Sequence, residues 1–365
     1  MILLLVSSCN SPLNRIFSDQ TPHEAYASEI KNDSLGSLWV SASKTALELP
    51  HTIELPYAQL GYFHPDKPRA LALHFHAKHG ERINFELTKE RGKDFTLFAD
   101  IYKKTGTEFS HLLAADTSGT VFGFDVEETG EYILRLQPEL FRTGEYNLSV
   151  VAGPSLGFPV AGSKARAGSF WGDARDGGKR NHEGIDIFAA KHTPAIAAAD
   201  GHITRVSEGG IGGKTIWMRA DNHDVHLYYA HLDQQLIEEG ESVKIGDTLG
   251  LVGNTGNAKF TPPHLHFGVY TNRGPVDPLP FVNKIIKQVP SLKKTNLAHY
   301  LQLKSFRGAP HRDSLIVVPL ALNSKGYIGE LLNGNITQLS PAEVIVLKPG
   351  DISVNETEVD LTNDG

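Results

Sequence analysis

Apolar and polar residues alternate with a period of two through much of the first half of the chain, from residue 57 to residue 151. Successive side chains of a β-strand point to opposite faces, so this alternation predicts half-buried strands. Turn sequences that contain glycine separate the segments. Short strands at this spacing are typical of a β-sandwich, which we assign to residues 51–153 as an accessory domain. The alternating segments are 71–75, 83–87, 95–101, 122–126, 132–136 and 146–150.

A different pattern precedes the sandwich, within residues 10–50. Thr21 and Glu24 have the spacing of a helix capping box, and Pro22 suits the first helical position. Apolar residues between positions 35 and 46 then recur at helical spacing. We therefore expect a tether followed by a short helical region that ends near Pro50.

Strand patterns also dominate the second half of the chain. After a linker at 154–159, they predict a central β domain that spans residues 154–286. Its glycine-rich loops do not have the spacing of a phosphate-binding P-loop. Residues 287–365 have weaker strand patterns, typical of a small β domain or tail, and a small SH3-like barrel is one form they could take. The predicted fold class is therefore all-β, with three β units.

Length and charge narrow the classes of function. A chain of 365 residues with 40% hydrophobic content can bury two or three cores. The formal net charge of -7 argues against nucleic acid as a partner. No apolar run reaches the roughly 18 residues that a membrane-spanning helix needs.

The chain has one cysteine, Cys9, so an intrachain disulfide is excluded. An apolar run at residues 2–6 and two serines precede it, an order that resembles the lipobox of bacterial lipoprotein signal peptides. The resemblance implies that residues 1–9 are a signal peptide and that Cys9 becomes a lipid-bearing N-terminus. The protein would then be anchored to a membrane, as an outer-membrane lipoprotein of the cell envelope facing the periplasm or the cell surface. The alternative is an apolar N-terminus with an incidental thiol.

Of the two H-x-H motifs in the chain, the one at residues 264–266 is a candidate functional site. His264 and His266 alternate with Leu265 and Phe267, which predicts a strand with both imidazoles on one face. They would lie about 6.5 Å apart and could converge on a metal ion and its water. The spacing leaves open which of the two is a ligand. The other H-x-H, at residues 74–76, lies in an ordinary half-buried strand, and we expect its imidazoles to be solvated.

A histidine and an aspartate four residues apart, His182 and Asp186, occur earlier in the central domain. On a helix they would share a face, and Glu183 would resemble the base of an H-E-x-x-H zinc protease. Gly184 and the β-branched residues after it favour a strand, on which the even offset also places His182 and Asp186 on one face. Glu183 then points the other way, and we do not expect it to act as a base.

His231 completes the candidate site. It follows Val225, Leu227 and Tyr229 at alternate positions, so we expect the four to share a strand face, with His231 at the end of the strand. For Tyr229, packing in the core is the favoured interpretation. The candidate metal-site groups of this domain are then His182, Asp186, His231, His264 and His266. The remaining histidines of the domain, for which we expect no role in the site, are His192, His202, His223 and His226.

In order and spacing, these motifs resemble the LytM/lysostaphin-type zinc metallopeptidases. The motifs are His-Glu-Gly-Ile-Asp at 182–186, Tyr-Ala-His-Leu at 229–232, Val-Gly-Asn-Thr-Gly at 252–256 and Pro-His-Leu-His-Phe at 263–267. The resemblance implies a two-sheet duplicated-hybrid-motif fold for residues 154–286 and endopeptidase action on bacterial peptidoglycan, at cross-links or stem peptides. It also implies that His182, Asp186 and His266 ligate Zn²⁺, and that His231 and His264 are an unligated catalytic pair.

The donor set is chemically consistent with this assignment. Two neutral imidazoles and one carboxylate leave a zinc site with a single positive charge and an open fourth position for water. The metal can lower the pKa of that water to about 7 and polarise the scissile carbonyl. His231 and His264 would then orient or deprotonate the water and stabilise the tetrahedral oxyanion.

Two other functions compete with this one. Some relatives keep the fold, lose metal ligands, and bind and activate cell-wall amidases, which would make a regulatory protein the partner. Here all five groups are present, which favours catalysis. The turns at 199–201 and 246–247 also resemble a lipoyl- or biotinyl-carrier domain. That interpretation lacks a lysine at a hairpin tip and leaves the five metal-type residues unexplained.

Overall fold

A computed structural model describes residues 20–89, 95–115, 121–304 and 316–348. Two helices begin this part of the chain, α1 (Pro22–Ile30) and α2 (Ser34–Glu48). The predicted capping box is confirmed, because the Glu24 N–H donates to Thr21 Oγ1 at 3.2 Å and the Glu24 carboxylate accepts from the Thr21 N–H at 2.8 Å. Neither these helices nor the others in the described ranges are long and apolar enough to cross a membrane.

The two helices pack onto the sandwich through an aromatic cluster. Trp39 is buried and its indole N–H donates to the carbonyl of Pro138 at 2.8 Å. His23 stacks on Trp39 at a ring-centroid distance of 4.5 Å and contacts Phe98 edge-on. The His23 Nε2 lies 2.6 Å from the side-chain oxygen of Gln137. The titratable imidazole of His23 is therefore buried among aromatic side chains.

We expect His23 to make folding stability depend on pH. Burial, with the nearby positive charge of Arg135, lowers the pKa of His23 from 6.5 to about 4. Between these values the unfolded chain binds the proton more tightly, so stability falls as the pH is lowered from 6.5 towards 4, by about 3 kcal/mol in all. Urea unfolding at pH 7 and pH 4 measures this loss. His23→Gln should lose less stability over the same interval, and an equal loss in both proteins would contradict the prediction.

Nine strands of the described residues before Ser155 form the sandwich, with a core between its two sheets. One sheet has the order β1-β3-β8-β5-β6, and β2, β9, β4 and β7 lie in the other. Buried side chains from both sheets, among them Phe75, Phe85 and Leu134, fill the space between them. The strands are β1 (His51–Thr52), β2 (Tyr57–Tyr62), β3 (Leu71–Ala77), β4 (Glu81–Lys89), β5 (Leu97–Thr105), β6 (Glu108–Ala114), β7 (Val121–Asp125), β8 (Gly130–Pro138) and β9 (Glu145–Pro154).

The first H-x-H motif lies on β3 of this sandwich. His74 and His76 both point to Glu131 on the neighbouring strand β8, at 2.8 and 2.9 Å. The side chain of His76 is 52% exposed. The contact with Glu131 accounts for both imidazoles. His76 lies on the predicted solvated face, whereas the side chain of His74 is only 19% exposed.

The central unit contains the strands that carry the candidate site. Its main sheet has the order β10-β13-β20-β17-β16-β15-β18. In addition, β19 pairs with β17 and β14, β21 pairs with β20, and β11 pairs with β12 as a separate hairpin. The elements are β10 (Arg166–Ser169), β11 (Ala174–Arg175), β12 (Arg180–Asn181), β13 (Ile185–Phe188), β14 (Pro194–Ile196), β15 (Gly201–Gly209), β16 (Gly213–Ala220), β17 (His226–Gln235), β18 (Ser242–Val243), β19 (Thr248–Val252), β20 (His264–Thr271), β21 (Gly274–Val276) and α3 (Leu279–Val282). Strands thus dominate the chain, and the predicted all-β class is confirmed.

The C-terminal strands differ from the expected separate SH3-like unit. Strand β23 pairs antiparallel with β2, so the C-terminal strands extend the second sheet of the sandwich to the order β25-β24-β23-β2-β9-β4-β7. Their core also packs against Leu60 and Tyr62 of β2. Alternation along a strand does not reveal which distant edge will accept its hydrogen bonds. These strands are β22 (Leu301–Leu303), β23 (Ile316–Asn323), β24 (Gly326–Leu331), β25 (Ile336–Leu339) and β26 (Val344–Val346).

Candidate metal centre

The candidate ligands meet because β13 and β20 are antiparallel neighbours. Their register places Asp186 directly opposite His266. Leu265 and Phe267, at the odd positions of β20, are buried in the core, so the even positions face the opposite side. His182 lies just before β13, is only 3% exposed, and reaches the same face. The segment is not helical, but the strand begins only at Ile185, so the preferred strand interpretation holds for Asp186 and not for His182. Glu183 is exposed and is not among the residues that line the cleft.

Three donor atoms of these residues converge on one point. His182 Nε2 lies 2.9 Å from His266 Nδ1, and each nitrogen lies 3.1 Å from Asp186 Oδ1. Ligands of a tetrahedral zinc ion with bonds of 2.0–2.1 Å are about 3.3 Å apart. The observed separations are within a few tenths of an ångström of this value. Within the described ranges, these three side chains form the group able to hold a metal ion.

The protonation states of the candidate ligands are also those that binding of a cation requires. His182 Nδ1 lies 2.9 Å from the carbonyl oxygen of Phe170, and since a carbonyl only accepts, this nitrogen carries the proton and leaves Nε2 as an electron-pair donor. Burial alone would raise the pKa of Asp186, but hydrogen bonds and charge from His182 and His266 hold it far below its usual range. An ionised carboxylate and two imidazole nitrogens therefore point at the same small volume.

His231 and His264 lie beside the three ligands in the same cleft. Their rings are 5.0 Å apart between centroids, and His264 Nε2 is 3.9 Å from Asp186 Oδ1. Each ring is fixed by a carbonyl, since His231 Nδ1 donates to Thr255 at 2.9 Å and His264 Nδ1 donates to Pro262 at 2.8 Å. The Nε2 atom of each neutral ring is then left as a proton acceptor.

The expectation that His231 shares a face with Tyr229 was wrong, as was the expectation that it ends the strand. Strand β17 continues to Gln235, and His231 has a left-handed backbone with φ of 62°. Tyr229 is fully buried, and its hydroxyl accepts from the Ala198 N–H at 3.0 Å, so its face belongs to the core, as favoured. The left-handed residue interrupts the alternation and places the His231 side chain in the cleft. Such a conformation costs of the order of 1–3 kcal/mol in a residue other than glycine.

The cleft has a volume of about 410 Å³. Several of the residues that line it were not predicted from the sequence. Tyr228, on the face opposite Tyr229, contacts the His266 ring edge-on at 5.9 Å. Arg175 and Phe188 line the same cleft. Aromatic residues are common in strands in general. Nothing in the local sequence therefore distinguished Tyr228, Phe188 or Arg175 as residues that line a cleft.

The remaining histidines of the domain lie outside this cluster, as expected. His192 is 2.8 Å from Asp233, and its side chain is 57% exposed. His202 and His223 are near Asp221 and Asp125 at 3.7 and 3.9 Å, and His226 is exposed.

Gly184 leaves space for His266. A Cβ atom at this position would lie 2.6 Å from His266 Cε1 and 2.7 Å from the carbonyl oxygen of Phe267. We expect Gly184→Ala to displace the imidazole and weaken the binding of a metal ion about 10-fold or more, as loss of support around a ligand typically does. Competition with a chromophoric chelator measures this change. Gly130→Ala, whose Cβ would meet nothing within 4 Å, is the control, and unchanged affinity in Gly184→Ala would contradict the steric argument.

The fold and the donor set together define a class. Two imidazoles and a carboxylate, with two further histidines beside them in an open cleft, form the kind of site found in metal-dependent hydrolases. Residues 180–278 match Peptidase family M23. The chain thus contains a peptidase M23 domain, and the resemblance to LytM/lysostaphin-type enzymes is confirmed.

Named relatives agree with this family. The chain is 40% identical over 114 residues to the L-Ala--D-Glu endopeptidase of Bacillus subtilis (strain 168), a match that covers 29% of this chain and 35% of the relative. It is 36% identical over 107 residues to the glycyl-glycine endopeptidase ALE-1 of Staphylococcus capitis, covering 28% and 29%. The chain thus spans about a third of the length of these two relatives.

Among solved structures, the catalytic domain of lysostaphin from Staphylococcus simulans is similar to this chain at 30% identity and a TM-score of 0.30. The match covers 32% of this chain and 91% of that domain.

Proposed function

We propose that this protein is a zinc-dependent endopeptidase that hydrolyses peptide bonds in bacterial peptidoglycan, in cross-links or stem peptides. The observation that carries the proposal is the convergence of His182 Nε2, Asp186 Oδ1 and His266 Nδ1 within 3.1 Å of one another, with two further imidazoles in the same cleft. The family match and the names of the two endopeptidases above support the substrate class.

His182, Asp186 and His266 would hold the zinc ion. Two neutral imidazoles and one carboxylate match the ligand types of catalytic zinc sites and leave a fourth position open. When bound, zinc would polarise the scissile carbonyl and make water a stronger acid. The low pKa of Asp186 keeps this ligand ionised at neutral pH.

His231 and His264 would move protons. Each has its Nδ1–H committed to a backbone carbonyl, so Nε2 is the atom that can take a proton from the attacking water. The same Nε2–H can then stabilise the oxyanion or protonate the departing amine. Glu183 is exposed and does not line the cleft, so we assign it no part in this role.

The direct test is to incubate the zinc-loaded protein with purified peptidoglycan and to analyse the released fragments by mass. We expect new amine and carboxyl termini within the peptides, at a rate that falls when zinc is removed by a chelator and recovers when it is restored. Intact peptidoglycan in the presence of stoichiometrically bound zinc would contradict the proposal. Activation of a cell-wall amidase by the same sample would then favour the regulator.

We also propose that Cys9, which lies outside the described residues, anchors the protein to a cell-envelope membrane. The support is the order of an apolar run, small residues and cysteine at the N-terminus. Expressed in a bacterial host, the wild-type chain should partition with membranes, and its N-terminal fragment should have the mass of a lipid-modified cysteine. Cys9→Ser should be recovered in the soluble fraction. Equal partitioning of both proteins would contradict the anchor.

A further inference from the structure

Arg175 contacts the oxygen of Asp186 that the two histidines leave free. Its Nη2 lies 3.0 Å from Asp186 Oδ2, whereas Oδ1 is the atom that faces His182 and His266. We propose that Arg175 is a positioning residue of the metal centre, because it holds the Asp186 carboxylate in the orientation that offers a single oxygen to the metal. The inference rests on the proposed metal site and adds a residue to it.

A short network holds the guanidinium in turn. Arg175 Nη2 also donates to Ser169 Oγ at 2.5 Å, and Ser169 Oγ donates to Asp173 Oδ2 at 2.9 Å. The same carboxylate oxygen of Asp173 accepts from the Phe170 N–H at 2.8 Å. Phe170 supplies the carbonyl that fixes the His182 ring. The orientations of two of the three ligands are therefore linked through one loop, residues 169–175.

The local backbone explains why this arginine arrives at the site. Ser169 is paired with Asp186 in the register between β10 and β13. The chain then turns into the β11–β12 hairpin, in which Arg175 lies opposite Arg180. The Arg175 side chain is 27% exposed and the Asp186 side chain 13% exposed, so their ion pair is only partly screened by solvent.

The physical effect of Arg175 follows from the two oxygens of the carboxylate. Without a partner for Oδ2, Asp186 could rotate or offer both oxygens, and the position of Oδ1 between the two imidazole nitrogens would be lost. A guanidinium is always charged and holds its donors in a rigid plane, which suits the fixing of a carboxylate. Partners of metal ligands typically change metal affinity or activity by about 10- to 100-fold when they are removed.

The test measures zinc affinity without substrate. We expect Arg175→Ala to bind zinc about 10- to 100-fold more weakly in competition with a chromophoric chelator. Arg175→Lys, which keeps the charge but lacks the planar fork, should restore only part of the affinity. Arg166→Ala is the matched control, because it removes an exposed arginine from the adjacent strand β10 and has no contact with Asp186 among the described residues. Thermal unfolding of the metal-free proteins checks that each variant is folded.

A second measurement distinguishes a change in the orientation of the Asp186 carboxylate from the general effect of removing a positive charge. Cobalt(II) in place of zinc gives an absorption spectrum that depends on ligand number and geometry, and we expect Arg175→Ala to change this spectrum while Arg166→Ala leaves it unchanged. Unchanged zinc affinity and an unchanged cobalt spectrum in folded Arg175→Ala would overturn the inference, and so would an equal loss of affinity in Arg166→Ala. Either result is independent of peptidoglycan cleavage, so the failure of this inference is distinguishable from failure of the proposed function.

Discussion

Asp186→Ala is expected to abolish stoichiometric zinc binding and, with it, peptidoglycan hydrolysis. Asp186 Oδ1 is the one atom within 3.1 Å of both ligand imidazoles, and it supplies the only negative charge of the donor set. Its removal would leave two neutral nitrogens and the positive charge of Arg175 facing a divalent cation. The loss of affinity should therefore exceed the roughly 10- to 100-fold that removal of a ligand's partner costs.

The measurement is zinc content after dialysis, combined with the rate of fragment release from peptidoglycan. Asp233→Ala is the matched control, because this aspartate lies in the same sheet, on β17, but pairs with Lys191 and His192 at 2.8 Å. We expect its zinc content to equal that of the wild type. A full zinc equivalent in folded Asp186→Ala would show that the cation binds elsewhere and would refute the assigned centre.

His264→Ala and His231→Ala are expected to keep zinc and lose turnover, each by about 10²- to 10⁴-fold in kcat. Neither ring belongs to the converging donor set, so zinc content should remain near one equivalent. Both rings present Nε2 as a proton acceptor beside the site, which is the function that alanine removes. The expected combination of full metal and little activity distinguishes these two residues from the ligands.

His192→Ala is the control for this pair. Its imidazole lies in the same domain but is exposed and paired with Asp233, so both zinc content and kcat should be unchanged. Wild-type kcat in both His231→Ala and His264→Ala would remove these histidines from the mechanism. Loss of zinc in either variant would instead reassign that ring as a ligand.

Much of the architecture was readable from local pattern. Alternating residues predicted the strands of the sandwich, and the Thr21 capping box placed the start of the first helix. On β20, burial of Leu265 and Phe267 put His264 and His266 on the opposite face, as the period of two requires. The even offset also predicted that His182 and Asp186 lie together, although His182 precedes β13 and reaches Asp186 from outside the strand.

His231 shows where local pattern was insufficient. Alternation assigned it to the face of Tyr229, yet a left-handed backbone at His231 moves its side chain to the cleft. Positive φ is uncommon in residues other than glycine, even though histidine is enriched among the exceptions, so the sequence contains no reliable signal for this change. The hydrogen bond between His231 Nδ1 and the carbonyl of Thr255, 24 residues later, helps to hold the ring in place.

The sequence by itself determined the strand class, the faces of β20 and the identity of the five metal-type residues, because these depend on side-chain type and on spacing within one segment. Only the tertiary structure decided that β23 would extend the sandwich sheet, that Arg175 would meet Asp186, and that Tyr228 rather than Tyr229 would line the cleft. Those results depend on which separate segments become neighbours and on one residue's backbone angle, and neither is encoded in the period of a strand.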